Sequence, residues 1–221
     1  MIKAVIFDMD GLLIDSEPTW DRARRDMAAQ VGKPWTHDDH RAVMGVSSDE
    51  WTAYMIRRLE LTLPPKEVQE QIVRRMAAFY AEEIPFLPGA VEAVDLAARN
   101  YPTGLASGSH RLLLDTVIAD ARLRGKFQVV VSSDHLARGK PAPDVYLETA
   151  RLMHVAPEDC VCFEDSTNGI LAGKNAGMKV IAVPNPDYMP RAEVLAQADR
   201  VLGSLTEFSL DTIRQIDQRQ S

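Results

Sequence analysis

Six short apolar runs recur along this chain, with helical patterns between the later ones, and that alternation limits the fold more than any other feature. The runs are "KAVIFDM" from Lys3, "TGLAS" from Thr103, "QVVVSS" from Gln128, "CVCFE" from Cys160, "KVIAVP" from Lys179 and "RVLGSL" from Arg200. Their length and β-branched content suit strands buried on both faces, as in a parallel sheet. Amphipathic stretches separate them: "PGAVEAVDLAARN" before the second run, "HRLLLDTVIADARL" after it, "PDVYLETARLM" before the fourth and "NGILAGKNAG" before the fifth. The alternation predicts an α/β fold with a doubly wound parallel sheet and crossover connections.

Residues 18–83 read differently, because they hold no convincing strand. "WDRARRDMAAQVG" sets Trp20, Ala23, Met27 and Val31 on one helical stripe and stops at Gly32. "SSDEWTAYMIRRLEL" opens with a capping box, Ser47 with Glu50, and a third helix carries Val68, Ile72, Met76 and Phe79. The expectation is a helical bundle, residues 18–83, inserted into an α/β domain made of residues 1–17 and 84–221. The connectors "LLIDSEP" and "EEIPFLPG" would serve as a hinge, with Asp15 fixing the turn. The polar tail "DQRQS" is expected to fray.

Ligands of doubly wound sheets bind beyond the carboxyl ends of the strands, so the residues that end each run carry the chemistry. The first run ends in Asp8-Met9-Asp10-Gly11, the second in Ser107-Gly108-Ser109 and the fourth in Glu164-Asp165-Ser166, while Gly139-Lys140-Pro141 follows the third. Carboxylates, a hydroxyl and an ammonium therefore meet at one edge. No GxxxxGK[ST] loop or post-strand GxGxxG is present, which excludes the usual nucleotide cradles, and the glycine order around Asp8 and Asp10 does not suit an EF-hand. Taken singly, each motif has a plainer reading: a solvated turn or helix cap for Asp8 and Asp10, a turn lysine for Lys140, an N-cap for Ser107, and first-turn acids facing a helix dipole for Glu164 and Asp165.

Together, "DMDGLLIDSE", "ASGS", "GKPAPD" and "FEDSTNG" resemble, in order and spacing, the four motifs of the haloacid dehalogenase superfamily, and the likeness spans nearly the whole chain. It implies a Rossmann-like core and makes the inserted bundle an α-helical cap domain. The nearest groups by resemblance are sugar-phosphate phosphatases, such as 2-deoxyglucose-6-phosphate phosphatases, and β-phosphoglucomutase. The resemblance assigns Asp8 as the nucleophile that becomes an aspartyl phosphate and Asp10 as the general acid and base. It places Mg²⁺ on Asp8, the main-chain carbonyl of Asp10, and Asp165, with Glu164 bound directly or through water. Lys140 would pair with Asp8 and the phosphoryl oxygens, and Ser107 and the Gly108 amide would bind the transferring group.

Where β-phosphoglucomutase-like sequences carry a histidine and a cap arginine, this chain has Trp20 and Ser48, so water is the expected acceptor and sugar-phosphate mutation the alternative. The expected reaction is hydrolysis of small hexose or hexitol phosphates, with Trp20 as an apolar wall of the pocket. His110 could also reach substrate; the other histidines read as surface or packing residues. The formal net charge of −7 argues against nucleic acid or an anionic membrane as partner. With no secretory signal pattern and no apolar run of spanning length, the chain reads as cytoplasmic, and a monomer is expected. Cys160 and Cys162 read as reduced thiols packed in the core.

Overall fold

A computed structural model describes residues 1–44 and 46–218; Gly45 and the last three residues of the polar tail lie outside the described residues. The chain divides into two compact units, one formed by Met1–Asp15 with the chain from Pro85 onward, the other by Ser16–Ile84.

In the first unit the apolar runs form β1 (Ala4–Phe7), β2 (Thr103–Ser107), β3 (Val129–Ser132), β4 (Cys160–Glu164), β5 (Lys179–Ala182) and β6 (Arg200–Val201). They build one six-stranded sheet in the order β3-β2-β1-β4-β5-β6, and every pairing is parallel. β1, β2 and β4 are buried throughout, as the absence of any polar alternation in their sequences requires. Across the β1–β4 pairing Phe7 stacks on Phe163 with ring centroids 4.8 Å apart, and Phe208 meets Phe163 edge-on at 4.9 Å. Cys160 and Cys162 are buried free thiols in one apolar cluster, as their two-residue spacing on a strand implies. The edges depart from expectation. β6 is only two residues long and exposed, and Val129 and Val130 of β3 are half-buried, since an edge strand has a neighbour on one side only.

The helices of this unit are α5 (Ala90–Ala98), α6 (Arg111–Ile118), α7 (Asp144–Met153), α8 (Thr167–Asn175), α9 (Ala192–Leu195) and α10 (Leu210–Gln218), numbered after the four of the second unit. α6 is shorter than its pattern suggests: the Asp120 carboxylate accepts the Arg122 N–H at 2.8 Å, and this local bond competes with another helical turn. The chain leaves and returns at one point. Ile14 bridges Phe86, and the Asp15 N–H donates to the Pro85 carbonyl at 2.8 Å, the turn-fixing position expected of Asp15 being filled by its main chain.

The second unit contains α1 (Glu17–Gln30), α2 (His37–Ala42), α3 (Ser48–Leu59) and α4 (Pro65–Glu82), with no strand among its described residues. Most residues of the predicted stripes are in its core: Ala23 and Met27 of α1 and Val68, Ile72 and Met76 of α4 are buried, joined by Trp51, Met55 and Leu59 of α3, whereas Trp20 and Phe79 are half-buried and Val31, which follows the last residue of α1, is exposed. Ser47 and Glu50 make the expected capping box. α2 has no counterpart in the sequence reading. At six residues it is too short for periodicity, and its one signal is a second capping box, Thr36 with Asp39.

Asp39 also accepts from Tyr54 Oη at 2.8 Å and Arg58 Nε at 2.7 Å, so this buried carboxylate ties α2 to α3. Burial alone would raise its pKa, but the bonds from Thr36, Arg58 and Tyr54 outweigh it and hold the group at about 2. A carboxylate depressed in the folded state contributes stability above its unfolded value, and that contribution fades as pH falls toward the folded value. Asp39→Asn is therefore expected to cost about 2 kcal/mol at pH 7, the difference shrinking as pH drops below about 4. All three tryptophans of the chain, Trp20, Trp35 and Trp51, lie in this unit, so urea unfolding followed by tryptophan fluorescence at several pH values reads the effect directly.

Candidate active site

In the order β3-β2-β1-β4-β5-β6 the direction of winding reverses between β1 and β4, and that crevice is where such sheets bind ligands. β1 delivers Asp8 there, its N–H donating to the Phe163 carbonyl of β4 at 3.1 Å, while β4 ends on Glu164 and hands on to Asp165. The chain then turns sharply: Leu13 N–H returns to the Met9 carbonyl at 2.9 Å, and Gly11 adopts φ 76°. Glycine is required at this position twice over, because a Cβ would need left-handed backbone and would stand 2.2 Å from Asp165 Oδ2.

Asp8 is buried beside Lys140, whose Nζ donates to Asp8 Oδ1 at 2.6 Å, to Glu164 Oε1 at 2.6 Å and to the Ala106 carbonyl at 3.2 Å. All three ammonium hydrogens are thereby used. Burial is the largest influence on Asp8 and pushes its pKa up; Lys140 opposes it, Glu164 and Asp10 add to it, and the carboxyl sits at about 7. Burial would lower the Lys140 ammonium, yet the charges of Asp8 and Glu164 prevail and hold it above the ordinary lysine value. Asp165 is raised well above the carboxylate range, first by burial and then by Glu164 and Asp8.

Ser107, at the end of β2, donates its hydroxyl to Asp10 Oδ2 at 3.0 Å and accepts the Ser109 N–H at 2.9 Å. Asp10 Oδ1 is buried without a hydrogen-bond partner among the described residues. Gly108 is exposed beside it, and a Cβ there would meet nothing within 4 Å. Asp8, Glu164 and Asp165 each offer a carboxylate oxygen within 4.8 Å of one another. One ammonium does not balance this set, and hard oxygen donors crowded together suit a divalent cation such as Mg²⁺.

The structure thus brings Asp8, Asp10, Ser107, Gly108, Lys140, Glu164 and Asp165 to one sheet edge. Trp20 belongs to the helical unit, half-buried on α1, its ring 6.0 Å from that of Trp51. His110 serves its own helix as the N-cap of α6, its Nδ1 accepting the Leu112 N–H at 3.2 Å. Ser166 likewise caps α8 through the Gly169 N–H at 3.1 Å. Sequence reasoning missed Tyr146, a fully buried side chain whose hydroxyl donates to Glu164 Oε1 at 2.5 Å. The one available signal was a tyrosine on the inner face of α7, where a buried phenol needs a partner.

Comparison with known proteins agrees with this geometry. Residues 2–177 match the haloacid dehalogenase-like hydrolase family. Hexitol phosphatase B of Escherichia coli (strain K12) is 39% identical over 213 residues, covering 94% of this chain and 95% of the relative. A phosphorylated carbohydrates phosphatase of Thermotoga maritima is 33% identical over 181 residues, covering 81% of this chain and 84% of that one. The crystal structure of CbbY from Rhodobacter sphaeroides in complex with phosphate superposes with a TM-score of 0.82 at 30% identity, over 94% of this chain and 96% of the other. The four strand-end motifs, the sheet order and a match through most of the sequence agree, and the chain belongs to the haloacid dehalogenase-like hydrolase family.

Proposed function

We propose that this protein is a Mg²⁺-dependent phosphatase that hydrolyses small hexose or hexitol phosphates through an aspartyl phosphate on Asp8. The observation that carries the reading is the pairing of a buried carboxylate, Asp8, with a fully committed ammonium at 2.6 Å, two residues before a second carboxylate that keeps one oxygen without a partner. Relatives named for hexitol and carbohydrate phosphates support the substrate class.

In this reaction an Asp8 oxygen attacks phosphorus and the bond from phosphorus to the sugar oxygen breaks. Asp10 gives its proton to the departing oxygen, so the sugar leaves as an alcohol. The Asp10 carboxylate next takes a proton from water as that water attacks the aspartyl phosphate, and inorganic phosphate leaves with Asp8 restored. Asp10 Oδ1 is the oxygen suited to carry the proton, because Oδ2 is held by the Ser107 hydroxyl. Lys140 keeps positive charge against Asp8 and the transferred oxygens, the Gly108 N–H binds the transferred group, and Ser107, whose one hydroxyl hydrogen goes to Asp10 Oδ2, holds the acid beside it. Mg²⁺, held by Asp8, Asp165, the Asp10 carbonyl and Glu164 directly or through water, supplies further positive charge when bound.

A panel of phosphorylated metabolites is expected to give the highest kcat/KM with hexose and hexitol phosphates, at least about tenfold above nucleotides. Turnover should vanish in EDTA and return with Mg²⁺. A preference for nucleotides, efficient conversion of β-glucose 1-phosphate to glucose 6-phosphate, or EDTA-resistant hydrolysis would each overturn part of the reading. The proposal includes a cytoplasmic monomer, for which size-exclusion chromatography with light scattering checks the oligomeric state.

A further inference from the structure

Glu164 lies at the hub of the site and is enclosed on every side that the structure describes. Its Oε1 accepts two bonds, from Lys140 Nζ at 2.6 Å and from Tyr146 Oη at 2.5 Å. Its Oε2 faces Ser166 Oγ at 3.5 Å, and α8 closes over it so tightly that a Cβ at Gly169 would stand 1.8 Å away. Tyr146 is placed by the first turn of α7, and the Lys140 ammonium lies 5.0 Å from its ring centroid. The phenol therefore touches the lysine with its face and the lysine's second anion with its hydroxyl.

A phenylalanine would fill the same space against the sheet, so packing alone does not require the hydroxyl. What the hydroxyl adds is a second donor on Glu164 Oε1. Without the phenol, Oε1 would be held by Lys140 alone and Oε2 only by the long Ser166 Oγ bond at 3.5 Å, whereas two short donors from different elements on Oε1 fix the carboxylate about its terminal torsion. Lys140 depends on that fixity, because one of its three bonds goes to the same oxygen and another to Asp8 Oδ1.

We propose that Tyr146 is a positioning residue for the reaction, holding Glu164 so that the Lys140 ammonium stays against Asp8 Oδ1. The inference rests on the phosphatase reading above and adds to it a residue that touches neither substrate nor metal. Its effect belongs in kcat rather than KM, since the ammonium it aligns serves the charge that develops during transfer.

The test is a double-mutant cycle on p-nitrophenyl phosphate at saturating Mg²⁺, using Tyr146→Phe, Glu164→Ala and the pair, with circular dichroism showing that each is folded at the assay temperature. Tyr146→Phe is expected to lower kcat about tenfold with KM within about twofold, as a misplaced charged group does. In the Glu164→Ala background, where the shared acceptor oxygen is gone, the same change should alter kcat less than about twofold. Retention of kcat within twofold in Tyr146→Phe, or a full tenfold loss repeated on Glu164→Ala, would overturn the proposal. Incorporating p-aminophenylalanine at position 146 returns an N–H donor to the same place and should recover most of the lost rate, or, if the Phe variant does not fold, should by itself give near-wild-type kcat; no recovery counts against the role. An Asp8→Asn control separates the two readings. If it keeps its turnover, the assigned chemistry fails and the role of Tyr146 falls with it.

Discussion

Asparagine in place of Asp8 is expected to lower kcat on any phosphomonoester by about 10⁴-fold or more, while the metal-free protein melts at the same temperature or higher. The two halves of that result have one cause. Burial and the neighbouring carboxylates hold the Asp8 pKa near 7, which means that its charge is unfavourable in the folded state. An amide of the same shape removes the charge and leaves Lys140 its bonds to Glu164 and Ala106. Calorimetry in EDTA alongside steady-state kinetics checks both halves. A variant that retained turnover would eliminate Asp8 as nucleophile, and one that melted much lower would mean that Asp8 stabilises the fold.

Lys140→Ala is expected to behave in the opposite sense. Removing the ammonium strands Asp8 and Glu164, two buried carboxylates, without their shared partner, and breaking a buried pair in this way typically costs about 3–5 kcal/mol. The same change should lower kcat about 10²- to 10³-fold through lost stabilisation of the transferred charge. Denaturant unfolding and kinetics on one preparation separate these effects. Unfolding within about 1 kcal/mol of wild type would show that water reaches the carboxylates when the lysine is gone. The contrast is informative: the buried Asp8 charge strains the fold, and the lysine makes that strain tolerable.

Much of this site could be read from the sequence because it sits at strand ends. Once "AVIF" and "CVCFE" are taken as parallel strands, the residues that follow them have one place to go, and Asp8, Ser107, Glu164 and Asp165 are fixed by that rule. Lys140 was legible only through its motif, since it lies in a turn and reaches Asp8 through tertiary structure. Tyr146 and the sharing of Glu164 Oε1 were not legible, because a hydrogen bond between α7 and β4 leaves no trace in local periodicity. α2 escaped for another reason: six residues give less than two turns, too few for a stripe, and only the Thr36–Asp39 box marks it. The extent of β6 was overestimated because an apolar run does not reveal how much of it finds a partner.

The return of the chain to its point of departure also bears on the order in which the molecule is made. β1 is one of the two central strands, yet both its neighbours come late in synthesis: Val5 pairs with Thr103 and Ala4 with Cys160. Everything from Ser16 to Ile84 emerges from the ribosome before either pairing can form, so a strand that ends fully buried waits with two open edges. Once α1–α4 have folded, the Asp15–Pro85 bond makes the excursion equivalent to a short loop. Joining β1 to β2 then spans a few tens of effective residues at most, which saves roughly 1 kcal/mol of closure entropy relative to an unfolded insertion. Substitutions that loosen only the inserted helices therefore slow assembly of a sheet to which they contribute no residue, and lengthen the time during which a nascent "AVIF" segment can pair with the wrong chain.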